Sequence, residues 1–245
     1  MHLVRLRSRL ATGLAVALLA PALVAQEAPK RPWTLQTDFG FVNTAGNTST
    51  TTLNAGQKAT YTSGQWTVGQ QFAAVYGRTD GVKSAENYAA RFRGDYAFSP
   101  RLGLYVLTGW DRNEFAGISR RFEEGTGLTF KAVALPRTTI DLEAGVAANQ
   151  QRSTLGDDVS FGSGRGALLF KQLLGEKAYL TQLAEVLPNF KESEDLRANF
   201  ETALVAPISS KVAFKAGYVI KYDKLPEPGF KTTDRFLTSG LQIVF

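Results

Sequence analysis

Ionisable residues fall at every second position along several stretches: Arg91, Arg93 and Asp95, then Arg121 and Glu123, then Asp141 and Glu143, with Asp111 between the first two. On an extended chain a two-residue spacing places such side chains on one face. Acids and bases interleaved in this way have two chemical uses. They can pair and cross-link neighbouring strands, or Arg91, Arg93 and Arg121 can stay unpaired and line a passage that favours anions. Each arginine has a carboxylate on its own or an adjacent strand, so pairing with Asp95, Asp111 and Glu123 is the favoured expectation.

Other chemistry is largely excluded by composition. The chain has no cysteine, and its one histidine is His2. A mature form without residue 2 would lack the residues most used for metal binding, for acid–base work near neutral pH and for thiol chemistry. No serine sits in a nucleophile motif. No catalytic, cofactor-binding or metal residues are expected, and no cofactor. Asp157 and Asp158 in one polar segment, and Glu192, Glu194 and Asp195 in another, offer oxygen ligands of the kind calcium takes, but such acids are more often solvated loop tips, which is the favoured expectation.

The elements that would position the charges are strands. Trp33, Leu35, Thr37, Phe39 and Phe41 alternate with Thr34, Gln36, Asp38 and Gly40. The same period recurs through Trp66 to Tyr76, Tyr88 to Tyr96, Leu104 to Trp110, Phe122 to Phe130 and Ile140 to Val146, and later through Leu180 to Val186, Leu196 to Leu204 and Val212 to Tyr222. With weaker runs at 51–61 and 159–172 and a last strand at the C-terminus, twelve strands are expected. Breaker pairs Ser63-Gly64, Ser99-Pro100, Pro136-Arg137, Gly175-Glu176 and Pro207-Ile208 recur at intervals of 32 to 39 residues, which is one hairpin each time. Longer polar segments lie between them at Thr44 to Thr50, Thr79 to Ala85, Ala116 to Ser119, Arg152 to Asp158, Lys191 to Asp195 and Lys224 to Lys231.

Short turns on one side and longer loops on the other is the plan of a transmembrane antiparallel up-and-down β-barrel. Strands of about 11 to 13 residues suit a tilted membrane crossing and exceed the usual five or six of a soluble sheet. Trp33, Tyr61, Trp66, Tyr96, Phe98 and Tyr222 near strand ends suit interfacial girdles. The chain ends on Leu241, Ile243 and Phe245, an apolar alternation expected of a closing strand and of a C-terminal barrel-assembly signal. Asp38, Lys58, Lys131, Arg197, Glu201, Lys215 and Lys221 join the lumenal set by parity.

At the other end, Arg5, Arg7 and Arg9 precede an uncharged apolar run from Leu10 to Val24, with Ala25 at the cut. This reads as a secretory signal peptide, residues 1–25, too short for a spanning helix of roughly 20 residues. Residues 26–32 would then be a short periplasmic segment and 33–245 the barrel. Removing three arginines leaves 25 Lys+Arg against 22 Asp+Glu, or +3, which gives no support to nucleic-acid binding. The expected partners are outer-membrane lipid, the periplasmic chaperone and barrel-assembly machinery, and small ions or solutes.

The residues also resemble a known family. Ala45-Gly46-Asn47-Thr48-Ser49-Thr50-Thr51-Thr52-Leu53-Asn54, Arg93-Gly94-Asp95-Tyr96-Ala97-Phe98-Ser99, Asp111-Arg112-Asn113-Glu114-Phe115-Ala116-Gly117-Ile118 and the pair Gly125, Gly127 look like the salt-induced outer-membrane proteins, the domain-of-unknown-function 481 family. The resemblance covers nearly all of the mature chain and implies an outer-membrane barrel. It brings no catalytic residues, and salt induction is context without mechanism. The expected role is non-enzymatic: a structural barrel or a narrow pore for small solutes in the cell envelope. Outer-membrane phospholipases, deacylases and omptin-type proteases rely on a histidine that the mature chain would lack. The alternatives are a surface-loop adhesin acting through Thr44 to Thr50 and a soluble periplasmic β-sandwich binding protein.

Overall fold

A computed structural model describes residues 32–44 and 50–244. Twelve strands run β1 (Trp33–Thr44), β2 (Thr50–Ser63), β3 (Trp66–Thr79), β4 (Val82–Ala97), β5 (Leu102–Asn113), β6 (Ile118–Ala134), β7 (Thr138–Ser153), β8 (Asp158–Leu173), β9 (Tyr179–Pro188), β10 (Leu196–Pro207), β11 (Val212–Asp223) and β12 (Thr233–Val244). A three-residue 3-10 turn, η1 (Glu114–Ala116), joins β5 to β6. Each strand pairs antiparallel with its chain neighbours, and β12 returns to β1, closing the sheet. The fold is therefore the twelve-stranded up-and-down barrel read from the alternation, and the sandwich alternative does not hold, because there is one closed sheet and not two stacked ones. Closure pairs Gln36–Phe39 with Leu241–Val244 and so reduces the unpaired sheet edge, which an apolar surrounding would penalise heavily.

The wall is turned inside out relative to a soluble domain. Val106, Leu128, Leu142 and Val146 are exposed on the outer face, whereas Glu143, Asn149, Ser163, Arg165 and Glu185 are buried within. Along β7, Leu142, Ala144, Val146 and Ala148 are exposed while Glu143, Ala147 and Asn149 are buried, a strict period of two. Near the short-turn rim the aromatics pack across registered strands. Trp33 meets Tyr61 with ring centroids 4.6 Å apart, and Trp66 meets Tyr96 at 4.8 Å. Leu241 and Ile243 lie exposed on the outer face of β12. Phe245, residues 1–25, expected to be a signal peptide, and most of the 26–32 segment lie outside the described residues.

Two details differ from the sequence reading. The segment Thr79 to Ala85, expected as a loop, is a tight hairpin in which Asp80 and Gly81 both take positive φ (50° and 79°), and β4 begins at Val82. Asp-Gly is a preferred pair for that turn because both central residues must enter the left-handed region. The strands also run longer at one side, up to seventeen residues in β6 against ten in β9.

Candidate functional site

Contacts between strands that are not neighbours fix which face is the lumen. Arg93 on β4 reaches Glu143 on β7 with Nη2–Oε1 at 2.6 Å, a chord across two intervening strands that only the concave face permits. Arg93 also holds Asp95 bidentately, with Nη2–Oδ1 at 2.7 Å. From Glu143 the network continues to Arg165 on β8 (Nη1–Oε2, 2.6 Å), from Arg165 to Glu185 on β9 (Nε–Oε1, 2.6 Å), and from Glu185 to Asn199 on β10 (2.8 Å). Tyr105 on β5 sits at its centre, with no exposed surface. Its hydroxyl accepts a hydrogen bond from Arg165 at 2.9 Å, and the Arg93 guanidinium lies over its ring at 4.4 Å. Alternating charge from β4 to β9 lets each buried group keep its counterion, the condition for burying charge at all.

Gly127 and Gly145 make room for Tyr105. A Cβ at Gly127 would stand 2.7 Å from the Tyr105 hydroxyl, and one at Gly145 would overlap that hydroxyl outright. Any side chain there would displace the ring from the belt.

The opposite side of the lumen is open. Lys215 pairs with Asp38, which also accepts from Gln242 at 2.8 Å. Lys58, Gln71, Ala73, Lys171 and Glu201 belong to the lumenal parity set through their registered partners and are exposed. Lys58 has neither a hydrogen bond nor an ion pair among the described residues. The lumen is thus lopsided: a buried ionic belt through Arg93, Glu143, Arg165 and Glu185, and a more exposed strip that carries Lys58, Lys171 and Lys215 with Asp38 and Glu201.

Above the belt, the loop from Lys224 to Thr232 crosses the mouth. Glu227 accepts from Gln151 on β7 at 2.8 Å, and Asn113 at the end of β5 donates to Asp234 at the start of β12 at 3.0 Å. Gly117, beside η1, lies so close that an added Cβ would be 2.6 Å from Glu227 Cβ and 2.8 Å from the Phe230 ring. Pro226 and Pro228 fix their own φ and stiffen this strap.

All eight ionisable residues singled out in the sequence share the lumenal face. The pairing is only partly as expected. Arg93 does hold Asp95, and Arg91 approaches Glu123 at 3.7 Å. Arg121, however, binds neither Asp111 nor Glu123. Gln151 stands directly opposite it on β7 and accepts from its Nε at 2.8 Å. Asp141 keeps one oxygen buried without a hydrogen-bond partner. The sequence reading missed Tyr105, Arg165 and Glu185. Parity would place all three inward, but Arg165 lies within Gly162-Ser163-Gly164-Arg165-Gly166, which reads as a run of small residues. Of the loop acids, Asp158 pairs with Arg152, and Asp195 accepts from Asn189 at 2.8 Å. Among the described residues no group of three or more metal-ligating side chains is gathered.

Fold and lumen together define a membrane-type β-barrel with a half-packed interior. The chain belongs to the family described as "Protein of unknown function, DUF481", whose model matches residues 37–245. No curated protein matches. Among solved structures it is similar to the translocator domain of the autotransporter NalP from Neisseria meningitidis, at 15% identity and a TM-score of 0.45, covering 87% of this chain and 86% of that one. It is also similar to the NanC porin (6% identity, TM-score 0.46, covering 86% and 97%) and to OmpT of Vibrio cholerae (9%, 0.45, covering 87% and 96%). At these identities the likeness is one of fold alone.

Proposed function

We propose that the protein is a non-enzymatic outer-membrane barrel that passes small solutes, anions in preference, along the open strip beside the ionic belt. The observation that carries this reading is Lys58, an exposed lumenal side chain that makes no hydrogen bond or ion pair among the described residues. A narrow passage with a net basic lining raises the local concentration of anions. Arg91, Arg93 and Arg121 are wall structure in this scheme, since carboxylates or Gln151 occupy them. Twelve strands suit a narrow passage, between eight-stranded barrels filled by side chains and sixteen-stranded ones with a channel. Export follows from the leader at residues 1–25, and the apolar face of Leu241 and Ile243 suits recognition by assembly machinery.

Refolded protein in a planar bilayer tests the reading. Discrete current with anion preference is expected, with that preference falling or inverting in Lys58→Glu at unchanged folding. A demonstrably folded barrel that inserts and carries no current would leave the belt as the whole of the lumen's role.

A further inference from the structure

The outer face carries a pair that the lumen does not explain. Arg120 on β6 and Arg152 on β7 are directly registered partners. Both point away from the lumen, because their neighbours Arg121 and Gln151 bond to each other inside. Like charges directly opposite on a sheet are destabilising. One of the two is neutralised: Arg152 donates to Asp158, its partner on β8, with Nε–Oδ1 at 2.9 Å. Arg120 is exposed, and among the described residues no carboxylate lies within 4 Å of it. A second anion, absent from the chain itself, would relieve the pair.

The surroundings say what kind. Immediately below the row Arg120, Arg152, Asp158 runs the row Phe122, Gln150, Ser160, again in direct register across the same three strands. A recess of about 330 Å³ opens here, lined on the outer face by Arg120, Phe122, Gln150, Asp158 and Ser160, with the inward-facing pair Gln151 and Val159 also reaching it. Phe122 is an exposed apolar residue at the top of the lipid-facing band, while the turn Thr154 to Asp157 stands just above. The recess therefore lies where an apolar layer gives way to a polar one, on the side with the longer loops, which is the outward-facing side of such barrels. A guanidinium fork matches a phosphate group, Gln150 and Ser160 can exchange hydrogen bonds with hydroxyls, and Phe122 can receive the start of an acyl chain.

We propose that this recess binds the phosphate-bearing saccharide headgroup of an acylated lipid in the outer leaflet, with Arg120 as its phosphate ligand. The proposal rests on the outer-membrane reading above but is independent of conduction. It differs from general adhesion of lipid to an apolar wall by requiring both a phosphate and one particular arginine.

Protein refolded without such lipid would be mixed in detergent with a bisphosphorylated acylated disaccharide, with its dephosphorylated form, or with phosphatidylglycerol, and bound lipid counted by native mass spectrometry. The expected result is one phosphorylated glycolipid bound per barrel, about tenfold weaker in Arg120→Gln, as loss of a charge-assisted bond implies, and largely restored in Arg120→Lys. Equal retention by wild type and Arg120→Gln, or equal retention of the dephosphorylated form, would overturn the proposal. So would phosphatidylglycerol binding as well as the glycolipid, or millimolar inorganic phosphate displacing the lipid completely, which would make this a free-anion site. Heat-modifiable migration of every variant, recorded in parallel, reports whether the barrel has formed, so failure of the lipid site and failure of the membrane-barrel reading are separable.

Discussion

Arg165 and Glu143 form an ion pair with Nη1–Oε2 at 2.6 Å in which each side chain retains only 2% of its accessible surface. Glu185 takes the other edge of the same guanidinium, equally buried. Removing the arginine leaves Glu185 buried with Asn199 alone and Glu143 with Arg93 as its remaining counterion. Breaking a buried pair in this way costs about 3–5 kcal/mol. Arg165→Ala is expected to lose that much in urea unfolding from lipid vesicles, followed by tryptophan fluorescence, and Arg165→Lys less. A loss under about 1 kcal/mol would mean that the belt is well hydrated.

Tyr105 and Gly145 depend on each other. The hydroxyl occupies the place a Cβ at Gly145 would take. Gly145→Ala is expected to destabilise by about 1–3 kcal/mol through overpacking, part of which Tyr105→Phe should return. A double-mutant cycle measures this coupling. Strict additivity would show that the clash is with the β6 backbone alone.

The inside-out wall makes a prediction about position. Leu142 is exposed on the outer face of β7, and Leu142→Arg should cost about 2–4 kcal/mol in a bilayer, as charge near the midplane does. Gln71→Arg, on the open lumenal strip, should stay within about 0.5 kcal/mol. Folding titrations of both variants in the same vesicles decide it, and equal costs would contradict the assignment of faces.

The strap from Lys224 to Thr232 partly occludes the outer mouth through Glu227 and Phe230. Replacing residues 225–231 by an Asn-Gly turn is expected to raise single-channel conductance while leaving the strands intact. Unchanged conductance in a folded variant would place the narrowest point at the belt instead.

The turn η1 should respond to acid. Lys83 and Arg112 bond the Glu114 carboxylate and hold it below the usual carboxylate range. A depressed folded value means the stabilisation is present above the unfolded value, about 4.3, and is lost as pH falls through the lower folded one. Amide exchange over 114–117, corrected for intrinsic rates, should therefore accelerate below about pH 4. Glu114→Gln should remove that dependence.

Alternation along the chain determined the twelve strands and the two faces, because period two is a property of the extended backbone itself and needs no partner to be read. Breakers such as Ser63-Gly64 and Pro136-Arg137 determined the hairpin order in the same local way. Asp80-Gly81 was equally legible, yet the polar residues after it read as loop; pairing with β3 draws them into β4. What only the tertiary structure decided are the chords: Arg93 to Glu143, Arg165 to Tyr105, Gln151 to Glu227. Such contacts depend on how far each strand is staggered against the next and on the circumference that results, quantities summed around the whole wall. A local pattern gives each arginine several carboxylates within a strand or two. Closure of the barrel is what brings Glu143 to hydrogen-bonding distance of both Arg93 and Arg165, gives Arg121 to Gln151, and leaves Lys58 without an ion pair among the described residues.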